Sequence, residues 1–292
     1  TGQATKRIDF VVTLKTPPTT VVKSNVIYNL DGVNVAITSD HYPLYCDFKK
    51  PTGLEEYPKA EGDLRIGNYF LTYCKGTDGV IDYDRTGRII AKMNADIVCL
   101  QGLDKETERS EGIDQLNVLA QKANMHDYFA KAIDYKGGEF GVGILTKEEP
   151  VSVDRYQMAG KSEMRAAMVV EYEKFVVAST NFDTDMAKRI EALQTLETKL
   201  SAYNKPAFLL GYFNEGDLES EFFQMVKSNW NLLSADKSTE VSGKKRRLDF
   251  IVSLKSHNVN VTQADVIESL SGVDVTVAST HYPLFCDFSG LK

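Results

Sequence analysis

Runs of apolar residues along the chain alternate between the spacing of strands and that of helices. Leu64–Thr72 and Ala95–Gln101 have the length and composition of strands, the second one buried on both faces. Met186–Tyr203 carries apolar residues at helical spacing and is the clearest predicted helix. Because strands and helices are mixed and the chain ends in consecutive strands, the pattern predicts two packed sheets with helices outside. Further helices are predicted over Asp84–Met93, Ile113–Ala123 and Glu219–Lys227, and further strands over Gly141–Thr146, Ala166–Glu171, Phe175–Thr180 and Ala207–Gly211.

The two ends of the chain carry the same pattern, offset by about 240 residues. Asp40–Phe48 matches Thr280–Phe288, and roughly half of all aligned residues are identical. A period of this length belongs to a domain and not to a solenoid repeat. The match continues upstream, with Lys6–Leu14 over Arg246–Leu254 and Val33–Ile37 over Val273–Val277.

This repeat divides the chain into an incomplete and a complete copy of one domain. Residues 1–48 correspond to the end of a preceding repeat, with strands predicted over Ile8–Leu14, Val21–Ile27 and Val33–Thr38. Residues 49–61, with two prolines, a glycine and several charges, indicate a linker, and residues 62–292 form the complete domain. Because three strands alone have no second layer to bury against, we expect residues 1–48 to pair with another domain or another molecule.

Composition narrows the classes of protein to consider. The 292 residues are 42% hydrophobic and 26% charged, which is ordinary for a globular protein, and no apolar run approaches the ~18 residues of a membrane span. The net charge of -7 gives no strong nucleic-acid signal. The four cysteines lack metal-finger spacing and indicate buried free thiols, which leaves the cellular location unknown.

Five short motifs follow one another in the complete domain. Their order and spacing resemble those of the endonuclease/exonuclease/phosphatase superfamily, the DNase I-like phosphoesterases, over residues 62–288. The resemblance implies an α/β fold, a four-layer α/β/β/α sandwich of two packed mixed sheets, preceded here by a three-stranded fragment of a second copy. The motifs are Arg65–Asp82, Ala95–Asp104, Thr180–Asp183, Gly211–Asn214, and Leu248–Ile251 together with Ser279–Pro283.

The resemblance also implies a magnesium-dependent site, and most of its residues differ in this chain. In the family, acidic groups hold Mg²⁺, which polarises the phosphate, while a histidine with an acidic partner activates water. Gly102 stands in place of the metal-binding glutamate, and Tyr212 in place of a motif aspartate. Phe70, Asn181 and Thr280 replace an asparagine, a histidine and an aspartate of the family pattern.

Three family residues remain, and each has a structural role as its alternative. His281, Asp249 and Asn214 are the candidate catalytic remnant. His281 and Asp249 would otherwise form a structural hydrogen-bonded pair, and Asn214 would close a turn. The candidate substrate contacts implied by the resemblance are Arg165, Tyr212, Phe70 and Asn181, of which Arg165 has an ion pair with Glu163 as its structural alternative.

The loss of acidic residues favours a non-catalytic binding or scaffold module in a tandem protein. No cofactor is expected, and Mg²⁺ would be required only if activity persists. The alternative is a metal-dependent phosphodiesterase or phosphatase with a rearranged site, or with its activity in the preceding repeat, which keeps Asp40 and His41. A cleft lined by aromatic residues would suit a ligand that contains phosphate or sugar.

Overall fold

The computed structural model describes residues 9–12, 20–33, 35, 40–49 and 56–292. The chain divides into two units, Thr1–Glu56 and Tyr57–Lys292. The boundary between the units falls inside the linker predicted over residues 49–61. Within the described ranges, no helix is both long and apolar enough to cross a membrane.

The first unit contains an antiparallel hairpin of β1 (Thr20–Val26) and β2 (Leu44–Lys49). β1 confirms the strand predicted over Val21–Ile27, whereas β2 follows a Pro-containing turn and was not predicted. Residues 9–12, the described part of the strand predicted over Ile8–Leu14, have no regular structure. The rest of that prediction, and most of Val33–Thr38, lie outside the described residues. The predicted β fragment is a small antiparallel sheet, with two strands in the part of the chain described.

Two six-stranded mixed sheets form the second unit. Its strands are β3 (Leu64–Phe70), β4 (Ile97–Lys105), β5 (His126–Tyr135), β6 (Gly138–Thr146), β7 (Ser152–Met158), β8 (Arg165–Glu171), β9 (Val176–Asn181), β10 (Ala207–Tyr212), β11 (Trp230–Leu232), β12 (Asp249–Leu254), β13 (Asn260–Val266) and β14 (Leu284–Ser289). The first sheet has the order β13-β14-β3-β4-β6-β5, and the second has the order β11-β12-β10-β9-β8-β7. Parallel pairs, β3 with β4 and β9 with β10, lie at the centre of each sheet.

Helices cover the outer faces of both sheets. They are α1 (Tyr83–Met93), α2 (Gln115–Ala123), α3 (Met186–Leu200), α4 (Glu221–Asn229) and α5 (Val275–Ala278). α1 and α2 pack with the outer side chains of β3 and β4, and α3 and α4 with those of β9, β10 and β12. A third core, which includes Ile66, Phe208 and Ile251, fills the space between the sheets. These layers confirm the predicted α/β/β/α sandwich.

The segment Val273–Val277 matches the strand predicted over Val33–Thr38, so the repeat predicted a strand there too, and this was wrong. The chain there makes a turn closed by a bridge between Leu270 and Val273 and then forms α5. The Asp274 side chain accepts a hydrogen bond from the Thr276 amide at 2.9 Å and so caps the helix. The β-branched residues that suggested a strand are tolerated because the helix lasts little more than one turn and buries Val275.

A fully buried ion pair ties the last strand to the first strand of the domain. Arg65 on β3 donates to both oxygens of Asp287 on β14, each at 2.7 Å. Its remaining donors reach backbone carbonyls, among them that of Met93 at 3.0 Å, and its guanidinium lies 4.0 Å from the centre of the Phe285 ring. Burial of both charges is tolerable because the hydrogen bonds of the pair are satisfied.

We expect Arg65→Met to lower the free energy of unfolding by about 3–5 kcal/mol, because it leaves the Asp287 carboxylate buried without its partner. Urea denaturation of the full chain measures this. Lys131→Ala is the control, since its ion pair with Asp134 is at the surface and should contribute less than about 1 kcal/mol. Equal effects of the two substitutions would contradict the assignment of Arg65 as a buried anchor.

Candidate functional site

The structure brings the family-motif positions together at one end of the sandwich. Phe70 is the last residue of β3, and Tyr212, the last residue of β10, pairs in register with Asp249 at the start of β12. Gly102 lies on β4, one residue past the partner of Phe70. His281 comes from the loop that precedes β14. Both sheets therefore contribute to one site.

Asp249 and His281 form a buried hydrogen-bonded pair. His281 Nδ1 lies 2.6 Å from Asp249 Oδ2, and the same oxygen accepts from the Thr239 hydroxyl at 2.6 Å. The Thr239 hydroxyl in turn accepts from the amides of Leu248 and Asp249. The structural role considered for the pair is thus present, and Thr239, which no motif indicated, holds the carboxylate in place.

The imidazole ring of His281 packs against two further rings, those of Phe70 and Tyr212, which also contact each other. We call Phe70, Tyr212 and His281 the aromatic plug. The ring centres are 4.6 Å apart for Phe70 and Tyr212, 4.7 Å for Phe70 and His281, and 4.8 Å for Tyr212 and His281. Burial, and then the nearby Asp249 carboxylate, raise the pKa of Tyr212 to about 12, so its phenol stays neutral. The plug is therefore a packed cluster in which the phenol is neutral.

Gly102 fits beneath the plug because it has no side chain. It sits at an irregularity in the pairing of β4 with β6 and has a φ of 73°. A Cβ placed there would lie 3.3 Å from the Phe70 ring and 3.4 Å from the Thr72 amide nitrogen. A glutamate at this position would need both a left-handed backbone and the volume that Phe70 fills. The absence of a side chain at Gly102 and the position of the Phe70 ring are thus linked in the structure.

The turn after Phe70 has an unusual backbone. Thr72, Tyr73 and Cys74 all have positive φ, between 48° and 59°, a conformation that costs about 1 kcal/mol or more per residue. Two hydrogen bonds tie this turn to the loop that carries His281: Ser279 Oγ donates to the Phe70 carbonyl at 2.6 Å, and the hydroxyls of Thr72 and Thr280 lie 2.9 Å apart. Thr280 therefore acts here as a loop contact.

Asn214 closes the loop that follows β10. It has a φ of 55°, and its amide donates to the Phe182 carbonyl at 2.7 Å. The same amide lies 3.5 Å from the side-chain oxygen of Asn181. These contacts provide the turn-closing role that was considered for Asn214, and they bring it close to Asn181.

Arg165 has the predicted ion pair with Glu163 at 3.0 Å and a second one with Asp183, also at 3.0 Å. The Asp183 carboxylate is buried and also accepts from the Asp185 amide at 2.8 Å. Burial alone would raise the pKa of Asp183, but the hydrogen bonds from Asp185 and Arg165 outweigh it and lower the pKa. Sequence reasoning missed Asp183 as the inner partner of Arg165, although it belongs to the motif Thr180–Asp183.

Glu240 and Arg246 form a charged pair that sequence reasoning missed, on the irregular segment next to His281. Glu240 forms an isolated bridge with His281, and its carboxylate accepts two hydrogen bonds from Arg246, each at 2.7 Å. These hydrogen bonds lower the pKa of Glu240 to about 2 against its ordinary 4.5. No motif marked this pair, because its members are six residues apart in an irregular segment.

The family fold implies Mg²⁺, and the residues at this site do not fit it. Magnesium needs several oxygen ligands in octahedral geometry. In the described part of the chain no group of three or more His, Cys, Asp or Glu residues is placed to hold a metal ion. In the first motif loop, Asp78 instead pairs with Arg85 at 2.7 Å, and Asp82 caps α1 through the Arg85 amide.

No protein-family model matches the sequence, and no curated protein sequence matches it. Solved structures do match. An endonuclease/exonuclease/phosphatase from Beutenbergia cavernae DSM 12333 has a TM-score of 0.64 at 18% identity, covering 79% of this chain and 73% of that chain. A mannosyl-6-phosphatase from Bacteroides thetaiotaomicron VPI-5482 has a TM-score of 0.61 at 15% identity, covering 77% and 99%.

The catalytic domain of human Nocturnin, with a bound sulfate, has a TM-score of 0.59 at 19% identity and covers 80% of this chain and 96% of that chain. At these identities the likeness establishes the fold. The chain therefore has the DNase I-like fold of endonuclease/exonuclease/phosphatase structures, as the five motifs indicated.

The Glu240 pair predicts how stability depends on pH. A carboxyl whose pKa is lowered in the folded state stabilises that state above its unfolded pKa, and this stabilisation is lost as the pH falls. We expect the difference in free energy of unfolding between the native chain and Glu240→Gln to be full above about pH 4.5 and to disappear as the pH falls towards 2. Denaturant titrations at a series of pH values measure it.

Arg246→Gln serves as the matched variant for this measurement, because it removes the same pair from the other side. It should show the same weakened pH dependence as Glu240→Gln. A native-minus-variant difference that stays constant down to pH 2 would contradict the assignment.

Proposed function

We propose that residues 62–292 form a non-catalytic module of the endonuclease/exonuclease/phosphatase fold that acts as a binding or scaffold domain. The observation that carries this proposal is the aromatic plug. Phe70 and Tyr212 fill the volume next to His281, where the resemblance implies a hydrated cation and a phosphate. Gly102 beneath them offers no carboxylate, and a Cβ there would lie 3.3 Å from the Phe70 ring on a backbone with a φ of 73°.

The engagement of the remaining acidic side chains supports the proposal. Asp249 is bound to His281 and Thr239, and Asp183 to Arg165. Because the described residues place no group of three metal-binding side chains together, the site lacks the ligand set for a Lewis acid that would polarise a phosphate. Since loss of key members of a catalytic unit commonly costs several orders of magnitude in rate, the His281–Asp249 pair alone would leave little turnover.

The candidate ligand contacts support a scaffold more than a pocket for a small anion. Arg165 is neutralised by two acidic partners, and Asn181 is buried. A groove of 560 Å³ runs past Asn214 and Arg246, and acidic residues share it with the basic ones, among them Asp217. A phosphate site would concentrate donors and positive charge, so this mixed lining suits a polar protein surface better.

A second candidate places activity in the preceding repeat. In the first unit, His41 Nδ1 lies 2.7 Å from Asp9 Oδ2, the same contact that joins His281 to Asp249. Asp40 precedes His41, where the second unit has Thr280. This candidate requires the remainder of that repeat, and hydrolysis by a longer protein that contains it, abolished by His41→Ala, would establish it.

Calorimetric titration of the full chain with Mg²⁺ and with Mn²⁺ at neutral pH tests the main proposal. We expect no heat of binding from the native chain or from Gly102→Glu alone, because Phe70 fills the space that the new carboxylate needs. The combination Phe70→Asn, Gly102→Glu, Tyr212→Asp removes the plug, supplies two carboxylates, and should gain metal binding.

Saturable binding by the native chain would contradict the proposal, since it would require carboxylates arranged differently from those seen. A folded triple variant that binds no metal would contradict the claim that the plug and the lost carboxylates account for the difference. Circular dichroism of each variant establishes whether it is folded.

A further inference from the structure

The hairpin of the first unit repeats the last hairpin of the second unit residue by residue. β1 pairs with β2 from Thr20 opposite Lys49 to Val26 opposite Leu44, and β13 pairs with β14 from Asn260 opposite Ser289 to Val266 opposite Leu284. The register is the same throughout, and both hairpins are irregular at the same place, after Val21 and after Val261. The sequence repeat is thus a repeat of backbone geometry.

The contacts around the two hairpins also agree. The Ile27 amide donates to the Pro43 carbonyl at 2.8 Å, as the Ile267 amide does to that of Pro283. The bridge between Leu30 and Val33 has its counterpart between Leu270 and Val273. The described residues 20–33 and 43–49 therefore repeat the backbone geometry of residues 260–273 and 283–289 while belonging to a separate unit.

The two hairpins differ in what lies beside them. β14 has a second neighbour, β3, whereas β2 has only β1 among the described residues. Side chains that the second unit buries are exposed in the first: Val12 is 84% exposed, and its counterpart Val252 is 0% exposed. Leu30 is 50% exposed, and Leu270 is 8% exposed. An open strand edge beside exposed apolar residues is a surface on which another strand can pair.

β2 carries the same kinds of side chain that β14 uses to bind the arginine of β3. Asp47 occupies the position of Asp287, whose carboxylate binds Arg65 of β3 at 2.7 Å through both oxygens. Tyr45 occupies the position of Phe285, whose ring lies 4.0 Å from the Arg65 guanidinium. Both features that hold an arginine on β3 are therefore present on β2, an acid for its charge and a ring for its face.

We propose that the edge of β2 that faces away from β1 is a docking surface for a strand of the β3 type, an arginine-bearing strand of a second domain of this fold, with Asp47 as the residue that binds the arginine. Pairing of backbone groups supplies affinity, and the Asp47–arginine pair fixes the register. This inference is independent of whether the second unit is catalytic. β3 of the chain itself is a strand of this type and serves as the probe.

The test replaces Asp287 by lysine in the full chain. Asp287→Lys places a second cation beside Arg65, which should release β14 from β3 and leave the β1–β2 hairpin, with Asp47, as the complementary partner. The four cysteines report the result by alkylation with iodoacetamide under native conditions and mass spectrometry. Cys74, Cys99 and Cys286 are buried, and Cys46 is partly exposed.

In Asp287→Lys we expect Cys286 to become reactive, Cys46 to become protected roughly tenfold or more against the native chain, and Cys74 and Cys99 to stay protected as evidence of folding. In the control, Asp47→Lys with Asp287→Lys, Cys46 should stay reactive. Sedimentation then shows whether the receiving strand is the chain's own or another copy's, and either result supports docking.

Reaction of Cys46 at the native rate in Asp287→Lys, with Cys286 reactive and Cys74 and Cys99 still protected, would overturn the proposal, because Arg65 would then be uncovered and the hairpin would not have docked on it. Asp287→Asn is the milder second variant. It removes the charge and keeps the size, and it should protect Cys46 partially; no Asp47-dependent protection in either variant would also overturn the proposal.

Discussion

The hydrogen bond between Asp249 and His281 fixes the ring on which the whole site is packed. Its 2.6 Å length and its burial leave the imidazole one orientation, and the Thr239 hydroxyl donates to the same carboxylate oxygen. Phe70 and Tyr212 then pack on the faces that this orientation presents. In this site the pair forms the base of an aromatic cluster, and the first unit repeats this contact between Asp9 and His41.

The substitutions at this site depend on one another. Phe70 can occupy its position because Gly102 has no side chain, and Gly102 can keep a φ of 73° because it is glycine. Tyr212 can lie half-buried beside Asp249 because its phenol stays neutral. Restoring one acidic residue would introduce a clash or an unpaired buried charge, which is costly. The positions of Phe70, Gly102 and Tyr212 therefore depend on one another.

Much of the fold could be predicted from the sequence, because the order of five motifs and the spacing of apolar residues both point to the same sandwich. Two elements could not be predicted: the one-turn helix within Val273–Val277 and the strand Leu44–Lys49, which follows a Pro-containing turn. Neither leaves a periodic signal in the sequence. At the site, the altered residues Phe70, Gly102 and Tyr212 were visible in the motifs. Their mutual packing was not, because it joins strands of two sheets, and Thr239, Glu240 and Arg246 were missed because they lie in an irregular segment without a motif.

Hydrolysis of a generic phosphodiester, bis(4-nitrophenyl) phosphate, by the purified full chain with Mg²⁺ or Mn²⁺ is the most direct test that the plug has replaced the catalytic centre. We expect a rate equal to that of the buffer and unchanged in His281→Ala, because the proposed role of His281 is to pack in the plug and to pair with Asp249. Turnover by the native chain that is lost in His281→Ala would contradict it, because the histidine would then be acting on substrate.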